Sequence, residues 1–187
     1  MKKPNHSGSG QIRIIGGQWR GRKLPVPDSP GLRPTTDRVR ETLFNWLMWD
    51  VQNAKVLDLC SGSGALAFEA LSRGAAHVVM IEPNRTQAQF LQQNLELLRV
   101  NKSKAQLKVS TAQHALATLK DQFDLVFLDP PYSLDLWEEL AALADPHIAA
   151  QGLIYVEADR DLNLLKLPHT WQKIKESKAG TVRAGLY

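Results

Sequence analysis

The chain switches repeatedly between two hydrophobic periods, and that alternation limits the folds open to it. Short apolar runs at 55–59 (KVLDL), 77–82 (HVVMIE), 105–109 (AQLKV), 123–128 (FDLVFL) and 153–157 (LIYVE) have the length and composition of buried strands. Stretches of helical period lie between them. The longest follows Asn84, a capping residue type, and lines up Leu91, Leu95 and Leu98 on one side. Strands joined by helices build a parallel sheet covered on both faces, an α/β fold. The end of the chain departs from this pattern. WQKIKES and AGTVRAGLY are strand-like segments with no helix between them, so the sheet is expected to finish in an antiparallel hairpin.

The segment before the first of these strands has another character. Residues 1–10 are polar and glycine-containing and read as a disordered tail. Residues 11–50 read as a basic extension with a capping helix, and 51–187 as the main domain. Ile12, Ile14 and Leu24 suit short strands around the Gly16-Gly17 turn, and Pro25, Pro27, Pro30 and Pro34 a stiff extended stretch. Thr36 is placed to cap a helix through RVRETLFNWLMW, with Val39, Leu43 and Leu47 at i, i+4, i+8. Phe44, Trp46, Leu47 and Trp49 are read as packing residues.

Charge is concentrated in this part. Residues 1–40 carry nine basic side chains (Lys2, Lys3, Arg13, Arg20, Arg22, Lys23, Arg33, Arg38, Arg40) against Asp28 and Asp37, a net +7. The remaining 147 residues hold 14 basic and 17 acidic side chains, a net −3. A basic arm on a mildly acidic body points to a polyanion held by the arm. Trp19, set among Arg13, Arg20, Arg22 and Lys23, reads equally as a stacking platform for an RNA base and as a hydrophobic plug. The single cysteine, Cys60, excludes an internal disulfide framework and fits a reducing cytoplasm. No Cys/His cluster has zinc spacing, no apolar run reaches membrane-spanning length, and the N-terminus lacks a signal-peptide core, so neither metal nor membrane is expected.

The stretch V-L-D-L-C-S-G-S-G-A-L-A (56–67) runs from a strand into a helix through Gly62 and Gly64. Glycines there let a ligand approach the backbone, and the helix start offers free N–H groups. No G-K-[ST] follows, so this is not a triphosphate-cleaving loop. Ala67 fills the sixth position of G-x-G-x-x-G, which dinucleotide folds also allow. Asp58, four residues before Gly62, would repel a pyrophosphate but suits a cation such as the ammonium of a methionine moiety. Glu82, 20 residues after Gly62, stands where a carboxylate accepts ribose hydroxyls. The pair favours S-adenosylmethionine over a nicotinamide dinucleotide.

The fourth apolar run ends in Asp129-Pro130-Pro131-Tyr132, at the strand ends where open parallel sheets bind ligands. The prolines stiffen the backbone and remove two N–H donors, leaving carbonyls to accept. Such a site suits an aromatic amine, whose lone pair is delocalised. Asp129 and a neighbouring carbonyl, that of Pro130, accept its N–H groups and oppose the positive charge that grows on nitrogen. Tyr132 is a stacking candidate for an extruded base.

Together the two motifs resemble those of the class I S-adenosylmethionine-dependent methyltransferases, and [DN]-P-P-[YFW] resembles the branch acting on exocyclic base amines. The stretch GSGQIRIIGGQWRGRKLPVPDSPGLRPTTDRVRETLFNWL (8–47) resembles the bacterial small-subunit ribosomal RNA guanine-N2 methyltransferases. The likeness is densest at 8–47, 56–74 and 125–132. It implies a Rossmann-like fold whose seven-stranded, mostly parallel sheet ends in an antiparallel hairpin. It also implies a monomer acting on guanine N2 of 16S rRNA in the 30S subunit or its assembly intermediate. The implied cofactor pocket is Asp58, Gly62, Gly64 and Glu82, and the implied catalytic motif Asp129, Pro130, Pro131 and Tyr132. Arg33, Pro34, Thr35 and Arg38 match a segment that closes over cofactor and target, with Arg38 on the cofactor. Where relatives often carry an acidic residue against the adenine, this chain has Ser110-Thr111-Ala112-Gln113, which leaves that contact to backbone, Thr111, Ala112 or Gln113. An adenine-N6 methyltransferase of DNA or another RNA is the alternative. A non-catalytic RNA-binding factor and a nicotinamide oxidoreductase fit the motifs less well.

Overall fold

Nine strands and five helices follow one another in the computed structural model, which describes residues 10–28 and 35–187. They are β1 (Gly10–Arg13), β2 (Lys23–Val26), α1 (Asp37–Trp46), β3 (Lys55–Asp58), α2 (Ala65–Ser72), β4 (His77–Ile81), α3 (Arg85–Leu97), β5 (Ala105–Lys108), α4 (Ala112–Thr118), β6 (Phe123–Leu128), α5 (Trp137–Ala144), β7 (Ile148–Ala158), β8 (Lys175–Ala179) and β9 (Val182–Leu186). Arg33, Pro34 and Pro30 lie outside the described residues, as does nearly all of the expected N-terminal tail.

Seven strands form one sheet in the order β5-β4-β3-β6-β7-β9-β8. β3 pairs in parallel with both β4 and β6, and β6 with β7; β9 runs antiparallel to β7 and to β8. The sheet is therefore mostly parallel and ends in the expected antiparallel hairpin. Chain order reverses between β3 and β6, the kind of switch point beyond whose carboxyl ends open α/β sheets bind their ligands.

Strand alternation sends side chains into two cores. Val56, Met80, Phe127 and Tyr155 pack with α1, α2 and α3 on one face, while Leu57, Val79, Val126 and Val156 pack with α4 and α5 on the other. The helices form where the sequence provides caps: Thr36 accepts from Val39 N at 3.3 Å and Asn84 from Gln87 N at 3.1 Å. Val39, Leu43 and Leu47 are buried. Helix α1 stops at Trp46, three residues before the expected end. There the chain turns into β3, and Trp49, expected to pack, is 86% exposed.

The N-terminal β1–β2 hairpin buries Ile12, Ile14, Leu24 and Val26 in the core, and one buried carboxylate of α2 gathers most of its polar anchoring. Glu69, in mid-α2 and fully buried, accepts the backbone N–H groups of Ile15 at 2.9 Å and Gly16 at 2.8 Å. Arg73 Nε donates to it at 2.8 Å, and the buried Arg40 guanidinium lies 3.5 Å away. Arg40 also donates to the Arg13 carbonyl at 2.8 Å and to Asp37 at 2.6 Å. Ser72 Oγ donates to the Gly16 carbonyl at 2.6 Å and accepts from Trp19 N at 3.0 Å. Trp19 is half-buried against the core, which favours the plug reading over a free stacking platform.

Removing Glu69 leaves the N–H groups of Ile15 and Gly16 without their acceptor and takes a carboxylate from Arg73 and Arg40. Glu69→Ala should cost roughly 3–5 kcal/mol in urea unfolding, the range for breaking a buried charged pair. Arg13→Ala, which removes a 57%-exposed partner of Asp37, should cost about 1 kcal/mol or less.

Candidate functional site

Four carboxylates stand in a row across the end of the sheet, one on each of four consecutive strands. Asp58 is the last residue of β3, Glu82 and Asp129 follow β4 and β6, and Glu157 is the penultimate residue of β7. Each continues the alternation of Val56, Met80, Phe127 or Tyr155, so all four belong to the face covered by α1–α3. Register brings them close: Asp58 lies opposite Met80 and Phe127, and Phe127 opposite Tyr155. Asp129 and Glu157 are thus one pleat further along neighbouring strands.

The glycine turn is tied to the strand beside it. Ser61 N donates to the Ile81 carbonyl at 2.9 Å, and Gly64 N to the Ser61 carbonyl at 2.7 Å. Gly64 caps α2 in a left-handed conformation (φ 80°), and a Cβ there would lie 2.5 Å from the Phe68 ring and 2.6 Å from Leu91. Only glycine lets the turn pass so close to the helices. Glu82, 5% exposed, accepts Gly62 N at 2.9 Å on Oε2 and Asn84 N at 2.9 Å on Oε1. The carboxylate expected at a ribose therefore also organises the turn. Each oxygen has two acceptor sites, which leaves capacity for a ligand.

Asp58 is 2% exposed. Burial pushes its pKa up to about 7, against the opposing effect of Ser61 and the N–H groups of Cys60 and Ala67. Burial likewise raises Glu82, and it holds the Cys60 thiol, beside Asp58 and Asp129, well above its ordinary range. Among the described residues no Lys or Arg pairs with Asp58, Glu82 or Asp129. Desolvated carboxylates with no cation paired to them among the described residues fit a ligand that brings its own positive charge, as the ammonium and sulfonium of S-adenosylmethionine do.

Asp129 keeps an opening to solvent, yet the protein around it raises its pKa well above the usual carboxylate range, with Glu157 and Asp58 adding to the effect. Oδ2 accepts the Thr35 hydroxyl at 3.3 Å. In the motif that follows, Pro131 accepts Leu134 N at 3.0 Å, whereas no hydrogen bond among the described residues uses the Pro130 carbonyl. Asp129 and that carbonyl are the two acceptors expected for an amine. The Tyr132 ring is half-buried, with its centroid 5.8 Å from that of Trp137. Its hydroxyl donates to Glu157 Oε1 at 3.2 Å, Tyr155 donates to Oε2 at 2.8 Å, and Trp137 Nε1 donates to the Glu157 carbonyl at 2.7 Å.

Thr111 caps α4, accepting His114 N at 3.3 Å, and Ala112 is buried behind it. Gln113 reaches Glu139 at 3.3 Å. Arg38 is exposed on the first turn of α1, away from any described ion pair. Of the arm residues, Arg20, Arg22 and Lys23 are exposed, while Arg13 is engaged by Asp37 at 2.9 Å. Glu157, Arg40 and Glu69 were missed by sequence reasoning. Glu157 carried a usable signal, because it ends an apolar run as Asp129 does. Arg40 and Glu69 carried none, since an ionisable residue on a helix ordinarily faces water.

The family described as conserved hypothetical protein 95 matches residues 12–187. The chain is 52% identical over 189 residues to ribosomal RNA small subunit methyltransferase D of Escherichia coli K12, covering 100% of this chain and 94% of that protein. It is 44% identical over 194 residues to the protein of the same name from Haemophilus influenzae, covering 100% and 99%. The solved structure of yhhF from Escherichia coli superposes with a TM-score of 0.87 at 49% identity, over 95% of this chain and 97% of that one.

Asp58 gives this site a pH dependence. The ionised form attracts an ammonium, and burial makes it hold its proton up to about pH 7. Affinity for S-adenosylmethionine, read by calorimetry, should therefore weaken about tenfold per pH unit below that point. Asp58→Asn should bind weakly at pH 7.5 and lose most of the dependence.

Proposed function

The chain belongs to the family described as conserved hypothetical protein 95, and with that membership as a premise we propose that it methylates the exocyclic N2 amine of a guanine in small-subunit ribosomal RNA. The observation that carries the reading is the Asp129-Pro130-Pro131-Tyr132 segment, one strand from the glycine turn, with its carboxylate on the same face as Asp58 and Glu82. The names of the 52% and 44% identical relatives support RNA of the small subunit as the substrate.

S-adenosylmethionine supplies an electrophilic methyl group on a sulfonium. When it is bound, Asp58 would hold the ammonium of the methionine part and Glu82 the ribose, and Thr111 and Ala112 at the start of α4 would be available to the adenine. Asp129 and the Pro130 carbonyl each accept one N–H of the target amine. This would turn its lone pair toward the methyl group and oppose the charge that nitrogen gains as the N–C bond forms and the methyl–sulfur bond breaks, the electron pair leaving on sulfur as a neutral thioether. Such alignment can be worth roughly 7–11 kcal/mol of the barrier. The proton that nitrogen then sheds passes to Asp129 or to water. Asp129 must be ionised to accept. Its upward-shifted pKa gives the reaction an acid limb above the ordinary carboxylate range.

Glu157 supports guanine over adenine. It sets a second carboxylate beside Asp129. Guanine has a ring donor, N1–H, next to its amine, whereas adenine flanks its amine with the acceptors N1 and N7. Two adjacent carboxyl groups, each opposing full ionisation of the other, offer acceptor oxygens to two adjacent donors.

The test is methyl transfer from radiolabelled S-adenosylmethionine to small subunits lacking the modification, followed by nucleoside analysis. N2-methylguanosine at one site is the expected product. N6-methyladenine instead would keep the chemistry and overturn the target. Asp129→Ala should lower transfer by at least about a hundredfold and leave cofactor affinity within a few-fold; normal turnover in that variant would refute the mechanism.

The exposed Arg20, Arg22 and Lys23 extend the RNA contact beyond the site. Replacing all three with Ala should weaken RNA binding and flatten the slope of log K against log salt by roughly 3. An unchanged slope would show that the arm does not touch phosphate.

A further inference from the structure

Thr35 stands 94 residues before Asp129 in the chain, outside the sheet that carries the site, yet its hydroxyl is 3.3 Å from Asp129 Oδ2. Its position is determined from two sides. Thr36, next in sequence, caps α1, and the Thr35 carbonyl accepts Arg40 Nε at 3.3 Å. Arg40 is in turn only 2% exposed and bound to Asp37, the Arg13 carbonyl and Glu69. Thr35 itself is 8% exposed. The hydroxyl is thus presented to Asp129 by a residue whose backbone is tied to Arg40 and whose neighbour caps α1.

The direction of this bond has chemical content. An ionised carboxylate can only accept, so the hydroxyl donates. It fills a site on Oδ2 and biases the carboxylate plane. Among the described residues, the titratable groups facing Asp129 are Asp58 on β3, Cys60 in the turn after it, and Glu157 with Tyr155 on β7. Asp58 and Glu157 oppose ionisation of Asp129; the Thr35 hydroxyl favours it. A valine would have nearly the same shape and none of this effect.

Building on the methyl-transfer reading, we propose that Thr35 is the positioning residue of the amine acceptor: its hydroxyl holds Asp129 by Oδ2, so that Oδ1 meets the target amine. The same contact makes the acceptor depend on a residue of the segment leading into α1. Through Arg40 and Glu69 that segment shares its anchor with the basic arm. The carboxylate is therefore fully arranged only when the arm is docked on α2.

The test compares wild type, Thr35→Val and Thr35→Ser. Two readouts need RNA: kcat for methyl transfer to unmodified small subunits, and the pH–rate profile. Two do not: calorimetric affinity for S-adenosylmethionine, and titration of the Asp129 carboxyl followed by 13C NMR. Thr35→Val should lower kcat by about tenfold or more, the loss of one hydrogen bond to a charged group, and shift the acid limb and the Asp129 titration to higher pH. Cofactor affinity should stay within about twofold. Thr35→Ser should restore both rate and titration. Should Thr35→Val fail to fold by circular dichroism, Thr35→Ala carries the same comparison. An unshifted Asp129 titration in the hydroxyl-free variant overturns the proposal. So does a Thr35→Ser variant as slow as Thr35→Val, which would assign the effect to the methyl group's packing. If wild type transfers no methyl group to guanine, the functional reading fails, while the NMR titration still decides whether the hydroxyl governs Asp129.

Discussion

The carboxylate of Glu69 holds together the two parts of the molecule that must cooperate. It lies in mid-α2, the helix whose first turn follows the glycine turn, and is fully buried. A bare charge there would be prohibitively costly, and the protein offsets the cost with four donors: two backbone N–H groups of the arm, Arg73, and Arg40. Most of those donors are far away in sequence. Satisfying the charge therefore requires the arm to be docked and α1 to be seated, which brings Thr35 to Asp129. One desolvated anion converts a loosely attached N-terminal segment into part of the site.

The site itself uses desolvation in the opposite way. Asp58, Glu82 and Asp129 are enclosed without a described lysine or arginine to neutralise them, and each has its pKa raised for that reason first. What helps them is backbone N–H groups and hydroxyls, which moderate the charge without cancelling it. The remaining deficit is available to a cationic ligand and to an amine that becomes cationic as it reacts. Glu157, braced by Tyr132, Tyr155 and the Trp137 indole, extends the row by one strand toward the target.

The arm shows how charge is divided between holding the fold and meeting a partner. Of its basic side chains, Arg40 is buried and Arg13 is paired with Asp37, whereas Arg20, Arg22 and Lys23 face solvent. The net +7 of the first forty residues thus overstates what is free to contact phosphate. Trp19, central to that basic run in sequence, points half into the core because its backbone is fastened to Ser72.

Local period and end residues were enough to identify the strands, their parallel arrangement, the closing hairpin, and the caps at Thr36 and Asn84. Each rests on interactions between residues a few positions apart, or on burial of a whole face. The placement of Asp58, Gly62, Gly64, Glu82 and Asp129 was legible for the same reason, since the motifs put them at the carboxyl ends of parallel strands. Side-chain contacts between residues about thirty or more positions apart were not legible. That Glu69 would be buried, that Arg40 would join it, that Thr35 would reach Asp129 and that Trp49 would be left in solvent depend on how helices seat against the sheet. A helical carboxylate has the same local pattern whether it faces water or a docked strand. Only the packed chain, which brings donors to it or leaves it to solvent, decides which.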